Sequence, residues 1–208
     1  MRLLLTSLFL AFLLNANAQL TQRFSAWTQV STEVDLTKDL EFQVTQMFRS
    51  DLLPYSFRQL NTELQLSYKF NKHWSAGGEF RFIGSNDSEL RYSVYGKYRD
   101  GIEDFELQIR SKYQIQTSRN ELPESALRNK FLLGYEVTKD IMPYISYEIF
   151  YTMYYRENSF NEFRIEPGLE IELNKHNDLA LYYIHGRERN TDSPTIRHVF
   201  GLSYEYKW

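Results

Sequence analysis

The chain has 208 residues, a formal net charge of −3 and no cysteine. The lack of cysteine excludes disulfides, thiolate metal sites and cysteine nucleophiles, and the acidic balance argues against a nucleic-acid partner. Tyrosine and phenylalanine are abundant, with 16 and 15 residues, yet mean hydropathy is −0.52. A soluble core does not ordinarily combine so many aromatic side chains with so many charges, whereas the two-faced strands of a membrane barrel do.

Residues 1–18 have the pattern of a signal peptide. Arg2 is followed by the apolar run Leu3–Leu14 and the small-residue cleavage site Ala16–Ala18, which together predict export. The apolar run is too short for a membrane-spanning helix. Residues 19–208 are predicted to form one domain.

The rest of the chain alternates apolar and polar residues on successive positions, which is typical of strands with two different faces. Alternation begins at Phe24–Leu36 and continues to the last stretch, Ile196–Trp208. The predicted strands are 24–36, 40–49, 60–70, 74–83, 90–99, 105–116, 127–137, 144–153, 163–173, 178–185 and 196–208.

Three hairpins repeat along the chain, at Leu60–Phe82, Leu127–Phe150 and Phe163–His185. Asn71–His73 and Asn174–Asn177 interrupt the alternation and have the composition of tight reversals. Pro167-Gly168 lies within a predicted strand and predicts a bulge or bend, because proline cannot donate to a ladder. The inward glycines Gly77, Gly134 and Gly201 are expected to help the sheet curve.

Short turns alternate with longer polar connections at 50–59, 84–89, 117–125, 154–161 and 186–194. This predicts an antiparallel transmembrane β-barrel of about 10–12 strands, with short periplasmic turns and longer extracellular loops. The pattern yields about eleven strands, whereas bacterial single-chain barrels have even numbers. Either Phe24–Leu36 contains two passes, giving twelve strands, or it lies inside a ten-stranded barrel; twelve is preferred.

The hairpins that turn at Asn-Lys-His (Asn71–His73 and Asn174–His176), the stretch RNKFLLGYE at Arg128–Glu136 and PYISYE at Pro143–Glu148 resemble a known family. They are similar to the domain-of-unknown-function family 2490, predicted outer-membrane β-barrels of Gram-negative bacteria. The resemblance covers about Trp27 to Trp208. It implies a barrel fold and an outer-membrane location, and it brings no catalytic residues.

Charged residues fill the alternate positions of the strands, so assigning the apolar face to lipid turns them toward the lumen. They could line a narrow polar passage, or pair with one another and fill the interior. A filled or narrow lumen is favoured, because open aqueous channels need roughly sixteen strands. Since both signs are interspersed along the chain, no strong ion selectivity is expected. The lumen-lining candidates are Glu63, Glu79, Arg81, Arg91, Glu106, Arg110, Arg128, Glu148, Arg164 and Glu166.

Two other functions compete with a non-enzymatic barrel of unknown role. One is a barrel-embedded lipid-modifying enzyme using His185, Glu188 and Ser193, although their spacing matches no hydrolase signature. The other is a secreted, soluble, lipocalin-like barrel that binds an apolar ligand. The favoured hypothesis has no catalytic residues, cofactor or metal, because His73, His176, His185 and His198 occur singly. Its expected partners are outer-membrane lipid and the barrel assembly machinery. Resemblance to other outer-membrane barrels implies that this machinery recognises the terminal aromatic residue, here Trp208.

Overall fold

A computed structural model describes residues 21–85, 88–118, 122–153, 158–191 and 193–208 of the chain. The predicted signal peptide lies outside these residues. There is no helix among them of the length and apolarity needed to cross a membrane. The described strands are β1 (Thr21–Asp35), β2 (Leu40–Leu52), β3 (Tyr55–Lys69), β4 (Trp74–Gly84), β5 (Glu89–Ile102), β6 (Phe105–Ser118), β7 (Glu124–Tyr135), β8 (Ile141–Met153), β9 (Asn158–Asn174), β10 (Asn177–Glu188) and β11 (Thr195–Lys207).

The described strands form a closed barrel in which each strand pairs antiparallel with the next. The barrel closes by a parallel pairing of β1 with β11, from Thr21 opposite Thr195 to Glu33 opposite Lys207. An all-β barrel of 10–12 strands is therefore confirmed, but the two even strand counts are wrong. Phe24–Leu36 neither contains two passes nor lies inside, because β1 is a strand of the wall. An odd number of alternating strands leaves the first and last running in the same direction, and a parallel ladder joins them.

One end of the barrel, here called the turn end, carries the connections at 36–39, 70–73, 103–104, 136–140 and 175–176. In two of them an asparagine organises the reversal. Asn71 Oδ1 accepts hydrogen bonds from the backbone N–H of His73 (2.8 Å) and Trp74 (2.9 Å), and Asn174 Oδ1 accepts one from His176 (3.1 Å). The rings of His73 and His176 form hydrogen bonds with backbone carbonyls of the adjacent strand, so both residues have the same structural role.

The opposite end, here called the far end, has shorter connections than the sequence predicts. The predicted loop Ser50–Gln59 is wrong, because β2 continues to Leu52 and β3 begins at Tyr55. The reversal is only Leu53-Pro54, and the residues around it belong to a taller barrel wall. Backbone pairing across a hairpin extends strands into polar sequence, which composition alone assigns to a loop.

Pro167 interrupts one ladder without shifting its register. The pairing of β9 with β10 omits Glu166 and Pro167, while Gly168 opposite Tyr182 and Ile165 opposite His185 stay in the same alignment. The predicted bulge at Pro167-Gly168 is therefore replaced by a gap. Proline has no N–H to donate toward β10, while its other neighbour β8 still pairs through Ile145.

The barrel has its polar residues inside and its apolar residues outside. Charged side chains such as Glu79, Lys112 and Glu148 are buried, whereas Val94 and Ile145 on the outer face are 61% and 51% exposed. The described residues contain few buried apolar side chains. The structure therefore lacks the hydrophobic core of an ordinary soluble domain.

Candidate functional site

The barrel interior contains the charged residues that the alternation predicts to be there. Glu79 contacts Lys112, which lines the larger of two interior cavities. Two of the predicted lumen-lining residues, Glu106 and Glu166, line a cavity of about 460 Å³ near the turn end. The other cavity, of about 680 Å³, is lined by Glu63, Arg81, Arg91, Arg110, Arg128, Glu148, Arg164 and also Glu166.

We call the larger cavity the far chamber and the smaller one the turn chamber. Lys130, Tyr144 and Glu166 line both chambers. Lys130 Nζ lies 3.0 Å from Glu166 Oε1, and the Tyr144 hydroxyl donates to the same oxygen at 3.0 Å. These three side chains lie on the neighbouring strands β7, β8 and β9, where the linings of the two chambers overlap, and we call them the Tyr144 boundary.

Buried ion pairs connect different strands in the wall of the far chamber. Arg128 and Glu148 share three hydrogen bonds of 2.9–3.1 Å. Lys112 Nζ lies 2.6 Å from Glu79 Oε2, and both side chains are at most 5% exposed. Because an isolated buried charge is costly, this pairing allows the charges to occupy the interior.

Inward tyrosines lie directly on glycines of neighbouring strands, an arrangement that the sequence analysis missed. A Cβ atom added to Gly201 would lie 2.0 Å from the ring of Tyr182, and one on Gly168 would lie 2.3 Å from the ring of Tyr144. Gly168 and Gly201 therefore make room for aromatic side chains, and Gly77 does the same for Tyr95, whereas Gly134 makes room for Met142. In a sequence, this packing could be found as a tyrosine on the polar face of one strand and an inward glycine on the neighbouring strand.

Strand register places some side chains of like charge next to one another, although both signs are interspersed along the chain. In the registers of β5, β6 and β7, Arg110 lies between Lys97 on one side and Lys130 on the other. The turn chamber is instead mainly acidic. Its acidic lining residues are Glu106, Glu136, Asp140, Glu166, Glu170, Glu172, Asp178 and Glu205. Lateral strand pairing groups residues that are far apart in sequence, so one sign can be in local excess although both signs alternate along the chain.

The sequence of this barrel matches a known protein family. A family model described as a protein of unknown function (DUF2490) matches residues 24–197. The chain belongs to the DUF2490 family. The resemblance seen in the sequence is thereby confirmed, and the match runs from β1 into β11 across both chambers. No curated protein matches the chain.

His185 in this DUF2490 protein lies on the outer face of β10, away from both chambers. Its ring packs 5.5 Å from that of His198, whose Nδ1 lies 2.6 Å from the Tyr183 hydroxyl. Ser193 falls in the connection after β10. Within the described ranges, no serine or carboxylate contacts His185, and no cluster of three or more His, Asp or Glu residues has metal-binding geometry.

Proposed function

We propose that this DUF2490 protein is an integral β-barrel of the Gram-negative outer membrane, exported by its signal peptide. The observation that carries the proposal is the reversed distribution of polarity. Large apolar side chains form the outer surface, while charged residues are buried inside. An apolar surface this extensive is unfavourable in water and favourable against lipid. A soluble lipocalin-like barrel would instead turn its apolar face inward.

Two belts of aromatic side chains on the outer surface support the proposal. Trp74 packs against Tyr98 near the turn end, with ring centroids 4.9 Å apart. Phe48 packs against Phe57 near the far end, at 5.2 Å. Aromatic belts mark both interfaces of membrane barrels. The described strands have 11–17 residues, which is enough for the roughly 9–11 residues that a tilted membrane strand needs.

Cell fractionation with electrophoresis of boiled and unboiled samples tests this proposal. We expect recovery in the outer-membrane fraction, and faster migration of the unboiled protein, because a closed barrel keeps its compact shape in detergent. Recovery in the soluble periplasmic fraction without a heat-dependent change in mobility would contradict the membrane barrel.

The orientation is testable because the native chain has no cysteine. With the turn end in the periplasm, a membrane-impermeant maleimide should label a Leu53→Cys variant on intact cells. A matched Lys72→Cys variant at the turn end should react only after the outer membrane is permeabilised. Both native side chains are exposed, so the difference reports the side of the membrane. Labelling of Lys72→Cys alone on intact cells would reverse the orientation.

We further propose that the interior is closed at the Tyr144 boundary and that the barrel has no enzymatic activity. Lys130, Tyr144 and Glu166 hold this boundary through the two 3.0 Å contacts. The physiological role then depends on what the chambers bind. Outer-membrane lipid and the assembly machinery are the partners that this location implies.

Replacing Tyr144 with alanine should open a path between the chambers. We expect the native barrel to show no steps of conductance in planar bilayers and the Tyr144→Ala variant to show them, because the ring that covers Gly168 is removed. Tyr147→Ala is the matched control, since Tyr147 lies on the same strand and is 42% exposed on the outer face. Equal conductance of native and Tyr144→Ala barrels would show that this boundary does not close the lumen.

A further inference from the structure

Two arginines of the far chamber are bonded only to neutral acceptors within the described part of the chain. Arg49 Nε donates to the sulfur of Met47 at 3.0 Å, which is a weak acceptor. Arg91 Nε donates to the side-chain oxygen of Gln116 at 2.9 Å. Most other cations of this chamber are paired with glutamates. Among the described residues, neither Arg49 nor Arg91 therefore has a carboxylate within ion-pair distance, and Glu89 acts on Arg91 only through Gln116 and through space.

Strand register brings these charges close to further cations. Arg91 on β5 stands directly opposite Arg81 on β4. Arg49 lies within electrostatic range of Arg81, Arg91 and Arg164. Like charges on directly opposed strand positions repel and destabilise a sheet. A bound anion would remove this repulsion.

Trp27 fixes the position of Arg49. The two residues are directly opposite on β1 and β2, and the Arg49 guanidinium carbon lies 3.9 Å from the centroid of the Trp27 ring. The guanidinium carbon of Arg164 approaches the same ring at 5.8 Å. Stacking on an aromatic face leaves the in-plane N–H groups of a guanidinium available, and their planar arrangement suits an oxyanion.

We propose that the far chamber binds a phosphate group, with Arg49 and Arg91 as its principal ligands and Arg81 contributing charge. The cavity of about 680 Å³ has room for a small phosphate ester. The group could belong to a free solute or to the headgroup of a lipid. The site is a property of the folded barrel and does not depend on its membrane location.

Trp27 offers a direct reporter of binding. The chain has three tryptophans, so Trp74→Phe with Trp208→Phe leaves Trp27 alone. Titration of this folded barrel in detergent with inorganic phosphate should give a saturable change in Trp27 emission that chloride at equal ionic strength does not. Calorimetry with phosphate should show that Arg49→Gln and Arg91→Gln each weaken binding about ten- to hundredfold, the range for hydrogen bonds to charged groups.

Arg99→Gln is the matched control, because Arg99 lines the turn chamber. It should leave phosphate affinity unchanged. No saturable binding by a barrel that keeps its heat-dependent mobility, or an equal loss in Arg99→Gln and Arg49→Gln, would overturn the site. Glycerol 3-phosphate and phosphatidic acid in nanodiscs then distinguish the source. Binding of the ester supports a soluble ligand, and binding of the lipid alone supports a headgroup.

Discussion

Replacing Glu148 with alanine is expected to lower the free energy of unfolding of the barrel by about 3–5 kcal/mol. The substitution removes the carboxylate from three hydrogen bonds with Arg128. Within the described part of the chain, Arg128 would keep only Gln114 as an acceptor, at 3.2 Å, together with the face of Phe150. An arginine cannot escape the cost by losing its proton. Urea titration of the barrel folded in lipid vesicles, followed by tryptophan fluorescence, measures the change.

Glu106→Ala is the control for this prediction. Glu106 pairs with Arg99, whose side chain is 57% exposed, so its loss should change the free energy of unfolding by less than about 1 kcal/mol. The double variant Arg128→Ala/Glu148→Ala should be more stable than the sum of the single effects implies, because it leaves neither charge unpaired. Additive effects would mean that water in the far chamber already solvates Arg128.

Adding a methyl group at Gly201 should destabilise the barrel by about 1–3 kcal/mol, the usual cost of overpacking. The new Cβ of Gly201→Ala would lie 2.0 Å from the Tyr182 ring. The ring lines the far chamber, so it can relieve this clash only by leaving its packing position over Gly201 and turning into the cavity. The same urea titration measures the effect.

Gly96→Ala provides the comparison, because a Cβ atom at Gly96 would have no neighbour within 4 Å. It should leave stability nearly unchanged. Combining Gly201→Ala with Tyr182→Ala should recover part of the loss, since the clash disappears with the ring. A Gly201→Ala barrel as stable as the native one would show that the tyrosine is not held against the glycine.

The charged interior was predictable residue by residue, because a strand sends alternate side chains to opposite faces whatever its partners are. The pairing of those charges was not. Glu79 on β4 reaches Lys112 on β6 across the intervening strand β5, where the small, buried Ser93 stands opposite Glu79. This contact depends on the register of three strands and on a small side chain between the two partners. Alternation within a single strand contains neither.

Local periodicity was enough to predict the two-faced strands and the residues that share each face, because alternate side chains of a strand point to opposite sides. The folded structure was needed to establish the parallel closure of β1 on β11, the lengths of the strands at the far end and the packing of Tyr182 over Gly201. It also gathered Arg49, Arg81 and Arg91 in one chamber. Each of these features is a relation between segments distant in the chain, and it arises only when hydrogen-bonded registers close the sheet.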